Sequence, residues 1–456
     1  MLLSSIVASL LFSPAFALPS GGKFTHGTSG TINVSGNNMH INGNKVNSII
    51  QWGGGFNINK GESVNFGGNS KNYLNIAHGT NKSTIAGLLN ANGKNVFLIN
   101  PNGVIIEKSG IINANRFVAS TSSMSNADMW KFAKLNENQG ATFSPVFKPQ
   151  KAGSVVNMGN INADKVLLIG NKVDIQGGKL GNKNSTTHLV GNDLVLNPSS
   201  FAENKTNNIT ALRSVELAAS MSAFKDGNYK FVGGDSFNLV DYIDNNSIKT
   251  ENKIQKVNFK QYLTIDSLNE WIIFANAWNG NKDGKGLGDT RKVKEFRLIN
   301  NIDFNNDFKP EYMVGYGILK NGVYDWSNSF SSIFNGNGYT LSNIKLNTSK
   351  GEYKDYYIGI FGSVIGGTIK NLKVKNVDIT SYKSAGSIVG YSENGNYHDI
   401  SLDNISIYSM AQNAGGFAGR SERDNTFERI LLNDVKKVVS DASYANAGAF
   451  IGITGG

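Results

Sequence analysis

Residues 95–121, with the sequence NVFLINPNGVIIEKSGIINANRFVAST, constrain the fold of this chain more than any other segment. An apolar run ends in the turn Asn100, Pro101, Asn102 and Gly103, a second run follows at once, and a third begins after residues 113–115. Proline fixes φ and lacks a backbone donor, while asparagine and glycine accept the dihedral angles of tight turns. Three apolar runs joined by sharp turns, with no helical segment between them, predict a chain that coils into a solenoid of strands.

The same texture extends from residue 27 to about residue 201, as short apolar runs separated by Gly and Asn turns. The clearest strand candidates are 31–34, 94–99, 104–106, 116–119 and 165–169. Several of these runs are continuously apolar, as in parallel strands that are covered on both faces. Residues 110–119 are echoed by 159–168, 49 positions later. We interpret that interval as two coils of about 20–25 residues each, and the irregular segment 127–136 as a short helix or loop outside the solenoid.

These residues resemble the secretion domain of the filamentous haemagglutinin family, the exported partners of two-partner secretion systems. The resemblance covers about 27–201 and rests on three further segments: WGGGFNI at 52–58, GESVNF at 61–66 and NANG at 90–93. No Asn-Pro-Asn-Leu motif precedes the turn, which leaves the subfamily open. The resemblance implies a right-handed parallel β-helix over 18–224 and an outer-membrane transporter as partner. It also implies that Asn100, Pro101, Asn102 and Gly103 assist export. The bland alternative is that Asn100 and Asn102 only hold the register of a solenoid corner.

The first 17 residues, MLLSSIVASLLFSPAFA, read as a signal peptide with the A-x-A cleavage residues Ala15 and Ala17. The segment is too short to span a membrane as a helix. It lacks the usual Lys or Arg, so its positive charge comes from the α-amine alone. The chain has no cysteine, which excludes disulfides and thiol chemistry. We therefore predict passage through the periplasm to the outer-membrane surface or the medium.

The texture changes after a mixed polar stretch at 225–256, which we interpret as a linker. Residues 257–349 predict a β-rich domain with one helix at 265–275, begun by Asp266 or Ser267 as N-cap. Residues 350–456 repeat the motifs YIGIFG, AGSIVG, AGGFAG and AGAFIG, which end at Gly362, Gly390, Gly419 and Gly452. They resemble GLUG-type repeats, in which small residues let neighbouring coils approach closely. The last copy stops directly after its Gly-rich core, so we expect the protein to continue beyond residue 456.

Charge and chemistry exclude several functions. The net charge is +10, and the 44 Lys and Arg are scattered, so no nucleic-acid-binding face is predicted. The five histidines share no ligand spacing, which predicts no metal site and no cofactor. Two acidic pairs, Asp303 with Asp307 and Asp399 with Asp403, could serve a glycan-cleaving enzyme. Residues four apart on one strand are about 13 Å apart, however, so we interpret these carboxylates as turn caps or solvated groups and predict no enzyme activity.

The sequence therefore predicts an all-β, haemagglutinin-like adhesin that is exported by two-partner secretion and binds a glycan or protein receptor on a host or bacterial cell. Two other classes stay open. One is the stalk of a contact-dependent toxin or haemolysin, which needs a C-terminal effector. The other is a β-helical glycan-active enzyme, which needs carboxylates that converge in a groove.

Overall fold

A computed structural model of the chain describes residues 18–148, 153–201, 203–222, 238–240, 242, 257–280, 290–320 and 322–455. The predicted signal peptide, with Ala15 and Ala17, and most of the predicted linker lie outside the described residues. The chain divides into two compact units, Met1–Leu217 with Gly233–Lys260 and Ala218–Val232 with Gln261–Gly456. No helix in the described part of the chain is long and apolar enough to cross a membrane.

The first unit is built almost entirely of strands. In chain order they are β1 (Gly22–Phe24), β2 (Gly30–Ser35), β3 (Asn38–Gly43), β4 (Asn47–Trp52), β5 (Ser63–Gly68), β6 (Asn72–Ala77), β7 (Ser83–Ile85), β8 (Leu88–Ile99), β9 (Val104–Ile106), β10 (Ile111–Ser120), β11 (Ser154–Asn157), β12 (Asn160–Ile175), β13 (Thr186–Leu196), β14 (Thr206–Ser220) and β15 (Asn238–Leu239). Two short helices, α1 (Asn126–Ala133) and α2 (Glu137–Ala141), lie between β10 and β11.

The strands stack in three parallel ladders. The first ladder joins β3, β5 and the beginnings of β8, β10 and β12. The second joins β4, β6, the ends of β8 and β10, the middle of β12 and the beginnings of β13 and β14. The third joins β7, β9, β11 and the ends of β12 and β13. Three ladders visited in turn make a parallel β-helix, so the predicted fold class is confirmed, while its right-handedness stays a prediction.

The N-terminal coil differs from the parallel arrangement expected for 31–34. Strand β2 pairs with β3 in an antiparallel hairpin, and β1 pairs antiparallel with β4. Both strands thereby occupy backbone edges that the first coil would otherwise leave unpaired. Such edges invite pairing with other chains, so the hairpin closes this end of the stack.

Adjacent coils are 20 to 25 residues apart in most of the unit, as shown by hydrogen bonds between Asn72 and Asn47 and between Thr187 and Asn207. From its length, we predicted that the interval of 49 residues between the echoed segments holds two coils. The structure shows a single step of the stack instead. Ala114 and Ala163 are direct neighbours in the pairing of β10 with β12. The prediction was wrong because residues 126–148, which contain α1 and α2, leave the stack and return to it without forming a coil.

The second unit begins with β16 (Asn258–Ile265) and α3 (Leu268–Asn279). Its strands continue with β17 (Glu295–Leu298), β18 (Ile302–Asp303), β19 (Ile318–Lys320), β20 (Val323–Asp325), β21 (Ile333–Asn335), β22 (Thr340–Thr348), β23 (Phe361–Ile365), β24 (Thr368–Ser381), β25 (Ala385–Gly386), β26 (Val389–Glu393), β27 (Asn396–Ser409), β28 (Ala414–Gly415), β29 (Ala418–Glu422), β30 (Thr426–Ser440), β31 (Ala447–Gly448) and β32 (Ile451–Gly455). Ser267 is the N-cap of α3, which decides between the two predicted cap residues.

Helix α3 packs its apolar face into an aromatic core. The rings of Trp271 and Phe274 are fully buried and contact Phe296, Phe334 and Phe361 at ring-centroid distances of 4.5–6.3 Å. The same buried cluster continues into the repeat coils as far as Ala418. Residues 257–349 and 350–456, which we predicted as separate domains, therefore share one apolar core.

The glycine repeats form successive coils. Strands β25, β28 and β31 stack in parallel, as do β23, β26, β29 and β32, and the long strands β22, β24, β27 and β30 form the opposite ladder. Gly390, Gly419 and Gly452 lie against the backbone of the preceding coil, where a Cβ would come closer than 3.0 Å to main-chain atoms. The predicted close approach is thus present, while the assignment to the GLUG type stays a prediction.

Candidate functional site

The turn at residues 100–103 forms a corner of the β-helix between β8 and β9. Asn100 is 1% exposed, and its amide nitrogen donates to the carbonyl oxygen of Asn81 at 3.1 Å and to Oγ of Ser83 at 3.0 Å. Its amide oxygen accepts the backbone N–H of Asn102 at 3.0 Å. Every polar group of the Asn100 side chain therefore has a partner inside the protein, and it is not available to a partner of the folded domain.

Asn102 and Gly103 complete the corner at its surface. The side chain of Asn102 is half-buried and donates to the carbonyl oxygen of Gly79 at 2.8 Å. Gly103 closes the turn by donating to the carbonyl oxygen of Asn100 at 3.0 Å, with a φ of +129° that favours glycine. Pro101, between Asn100 and Asn102, is half-buried. The corner thus consists of the buried, fully hydrogen-bonded side chain of Asn100 and a partly exposed rim formed by Asn102.

Residues 126–148, which we call the strap, run across the outer face of the second ladder. Two capping boxes start its helices, Ser125 with Asp128 for α1 and Asn136 with Gln139 for α2. Phe132, Phe143 and Phe147 of the strap are buried against outward side chains of β4, β6, β8, β10, β12 and β13. The strap therefore explains why these strands are apolar on both faces, which the continuous apolar runs had indicated.

A ladder of asparagine side-chain amides on strands of the second ladder binds the strap. The Asn72 amide nitrogen donates to Oδ1 of Asn47 at 2.7 Å, and that of Asn95 donates to Oδ1 of Asn72 at 2.7 Å. The first two of these side chains also reach the strap: Asn47 donates to the carbonyl oxygen of Leu135 at 2.5 Å, and Asn72 to that of Glu137 at 3.2 Å. The ladder satisfies strap carbonyls that would otherwise be buried without a donor. The sequence carries a signal for this ladder, because Asn47, Asn72 and Asn95 recur at coil spacing.

Arg116 fastens the end of the strap. Its Nη1 donates to the carbonyl oxygens of Ala141 and Phe143, both at 2.7 Å, and its guanidinium lies 5.4 Å from the ring centroid of Phe97. The residue is 7% exposed, and burial lowers the pKa of the guanidinium to about 10. An arginine in the motif NRFVAST is thus part of the docking of the strap.

Between the strap and the second ladder lies a groove of about 550 Å³, which we call the strap groove. Arg116, Ser144, Lys165, Thr186, His188 and Tyr242 line it. The hydroxyl of Thr210 donates to the carbonyl oxygen of Val240 at 2.7 Å, so Nε2 of His188, 2.9 Å from that hydroxyl oxygen, is the donor of their hydrogen bond. Burial lowers the pKa of His188 to about 4, and the ring is therefore neutral at physiological pH.

The buried ring of His188 predicts a loss of stability in mild acid. Its pKa rises from about 4 in the folded chain to an unfolded value near 6.5, so the unfolded chain binds the extra proton first. The contribution of neutral His188 to the free energy of unfolding is fully present above pH 6.5 and is lost between pH 6.5 and pH 4. Below pH 4 this residue causes no further loss. Allowing for partial exposure, we expect a loss of about 2 kcal/mol across that window.

Urea unfolding of the full chain at pH 7.0, 5.5 and 4.0 measures this loss, with the variant His188→Gln as control. The variant keeps the carboxylate contribution to acid unfolding and lacks the histidine contribution. An equal loss of stability in both proteins over this range would show that His188 does not titrate in folding.

The carboxylates of the two acidic pairs are each engaged by neighbouring groups. The carboxylate of Asp303 accepts hydrogen bonds from the side-chain amide of Asn343, at 2.9 Å, and from the backbone N–H of Asn305, at 2.7 Å. Asp307 lies 3.8 Å from Lys309. Asp399 is held by Arg429 at 2.5 and 2.9 Å, and this ion pair holds the pKa of that carboxyl well below its usual range. Asp403 lies 3.9 Å from Lys375. Each carboxylate is paired with an amide or a cation, as the interpretation as turn caps or solvated groups expects.

In the described ranges, no three His, Asp or Glu side chains come together as a metal site would require. The histidines instead serve local roles. Nε2 of His26 donates a hydrogen bond to Oδ1 of Asn126 at 2.7 Å, and the ring packs edge-on against Trp130 of the strap at 5.1 Å.

A parallel β-helix with a closed N-terminal coil, an asparagine-locked corner and a docked outer strap is the structural class that these features define. A family model described as the TPS secretion domain matches residues 15–265. The chain is 32% identical over 185 residues to the heme/hemopexin-binding protein of Haemophilus influenzae, a match that spans 39% of this chain and 19% of that protein. It is also 32% identical over 100 residues to halomucin of Haloquadratum walsbyi, spanning 22% of this chain and 1% of that protein. The solved HMW1 secretion domain of Haemophilus influenzae aligns with 92% of this chain and 100% of its own, at 17% identity and a TM-score of 0.33.

The family match covers more than half of the chain, and the chain belongs to the family of TPS secretion domains. The resemblance stated from residues 27–201 is thereby confirmed. Residues 15–265 are therefore a secretion domain of the kind that exoproteins of two-partner secretion carry. The chain spans about a fifth of the length of the Haemophilus relative and far less of halomucin.

Proposed function

We propose that this exoprotein is a surface-exposed or released adhesin, whose repeat coils bind a glycan or protein receptor on a host or bacterial cell. The observation that carries the proposal is the joining of a secretion domain to a second unit of stacked repeat coils. Such coils present a long, regular surface whose outward residues vary without disturbing the buried glycines and aliphatic side chains. We also propose that residues 350–456 are repeats of the GLUG type.

The role that we propose for the corner at Asn100 is to fix the fold at the point of export. Each inward Val, Ile, Leu or Phe that a new coil buries contributes about 1.5–3 kcal/mol. Coils that form on the outer side of the membrane would therefore bias movement of the chain outward without ATP. Asn100 supports this bias because it joins residues 79–83 to the next coil, and the strap supports it because it binds several coils at once.

We propose that the protein has no catalytic activity. The pairing of Asp303, Asp307, Asp399 and Asp403 with amides and cations supports this reading over a glycan-cleaving enzyme. The stalk of a contact-dependent toxin or haemolysin is a second candidate, which shares the secretion domain and the repeat coils. It requires an effector domain, whereas the adhesin requires only a receptor-binding face.

Export of the full chain from cells that carry or lack a two-partner transporter tests the proposal. We expect the protein in the medium or on the surface only when the transporter is present, and binding of the purified protein to target cells in a saturable manner. Binding that is lost after glycosidase treatment of the cells would identify a glycan receptor, and loss after protease treatment a protein receptor.

The control is a chain that lacks residues 266–456 and keeps all of the residues that match the secretion-domain family. It should be exported and should not bind cells. Equal cell binding by this shorter chain would contradict the assignment of adhesion to the repeat coils. Killing or lysis of target cells by the complete protein of the source organism would favour the toxin or haemolysin instead.

A further inference from the structure

The strap groove contains the buried positive charge of Arg116. The guanidinium of Arg116 lines the groove, and its described partners are two carbonyl oxygens, at 2.7 Å, and the hydroxyl of Ser144, at 3.3 Å. Nε–H and one N–H of Nη2 are not used by these bonds. Within the described part of the chain, no Asp or Glu forms an ion pair with this arginine. A charge that is removed from water is costly unless an opposite charge compensates it.

The remaining lining residues supply complementary chemistry. Lys165 is exposed at the rim and adds a second positive charge on β12. The neutral ring of His188 and the hydroxyl of Thr186 offer hydrogen bonds, while Val166, Leu167 and the buried ring of Tyr242 form an apolar wall. A volume of about 550 Å³ is that of a site for a small organic molecule and exceeds the space that an inorganic ion needs.

We propose that the strap groove binds a small organic anion of sugar-acid size, whose carboxylate pairs with Arg116 and Lys165 and whose remaining atoms lie against Leu167 and Tyr242. A planar guanidinium with free N–H groups is the preferred protein partner of a carboxylate. Arg116 also holds the strap at the carbonyl oxygens of Ala141 and Phe143, so ligand binding to Arg116 would stabilise the docked strap. This site goes beyond export and adhesion and rests on neither.

Isothermal titration of the purified, secreted full chain with glucuronate and with glucose tests the proposal. The two sugars share their ring and differ in one carboxylate, so we expect glucuronate to bind at least about tenfold more tightly, with an affinity that falls as NaCl is raised. Sulfate should compete with glucuronate for the positive end of the groove. Equal affinities for the two sugars, no binding of glucuronate, or no competition by sulfate would overturn the proposal.

Two lysine variants locate the site without disturbing the strap. Lys165→Gln removes the charge at the rim and should weaken glucuronate binding at least about fivefold. Lys183→Gln removes an exposed charge outside the groove and should leave the affinity unchanged. Arg116→Gln should abolish binding, with circular dichroism as the check of folding. If Lys165→Gln binds glucuronate as the unmodified protein does, or if Lys183→Gln weakens binding equally, the anion lies elsewhere and the proposal fails.

Discussion

Replacing Asn100 by alanine is expected to lower the free energy of unfolding of the secretion domain by about 3 kcal/mol. The substitution leaves three groups without their partner: the fully buried hydroxyl of Ser83, the carbonyl oxygen of Asn81 and the N–H of half-buried Asn102. Bulk water does not restore the bond of the Ser83 hydroxyl, because both Ser83 and Asn100 are buried. Hydrogen exchange read by mass spectrometry on peptides of the first unit measures the loss separately from the second unit.

Asn102→Ala is the matched control at the same corner. It removes one bond, from its amide to the carbonyl oxygen of Gly79, at a partly exposed site, and we expect a loss below about 1 kcal/mol. If the corner acts through the fold, export through the transporter will drop for Asn100→Ala and stay normal for Asn102→Ala. Retention of a fully stable Asn102→Ala protein inside the cell would show instead that the transporter recognises the rim of the turn.

The turn itself could be predicted from the sequence, while the different roles of Asn100 and Asn102 within it could not. Proline, asparagine and glycine announce a sharp turn by their own backbone preferences. The partners of Asn100, by contrast, lie 19 and 17 residues earlier: Asn81 is on the loop before β7, and Ser83 is the first residue of β7. Contacts of that kind depend on the register of neighbouring coils, which is a property of the assembled stack and not of the local segment.

The strap shows a second limit of sequence reasoning. Its helices were indicated by the break in strand periodicity at 127–136, but nothing local to that segment reveals what it covers. The continuous apolar runs on β8 and β10 indicated that something covers both faces of these strands, and the structure identifies it as the strap. The error over the 49-residue interval had the same origin, since coil counts from length assume that every residue belongs to a coil.

In the second unit, by contrast, the spacing of the glycines was sufficient to predict stacked coils. A repeat that recurs at about 28–33 residues and keeps a small residue at one position predicts stacked coils in close contact. The structure explains why that position needs a small residue. Gly419 lies against the backbone of Ala385, and an added Cβ would come within 2.6 Å of the Ala385 nitrogen.

Gly419→Val is therefore expected to destabilise the repeat coils by about 3 kcal/mol. The three nearest atoms to the added Cβ belong to the main chain of Ala385, at 2.6 to 2.9 Å, and main-chain atoms cannot rotate away as a flexible side chain can. The coils must separate locally, which also weakens the hydrogen bonds between β26 and β29. Hydrogen exchange of peptides from residues 385–422 and the rate of proteolysis in the repeats measure the effect.

Gly366→Ala separates this steric cause from the general loss of a glycine. Its Cβ meets nothing within 4 Å, and only the φ of +67° opposes the substitution, at a cost of about 1 kcal/mol. We expect both variants to be exported at the normal rate, because the family match that defines the secretion domain ends at residue 265. Cell binding should fall for Gly419→Val and persist for Gly366→Ala. Full protection of the repeat coils in Gly419→Val would contradict the close packing of the coils, and loss of export in that variant would mean that the repeats take part in secretion.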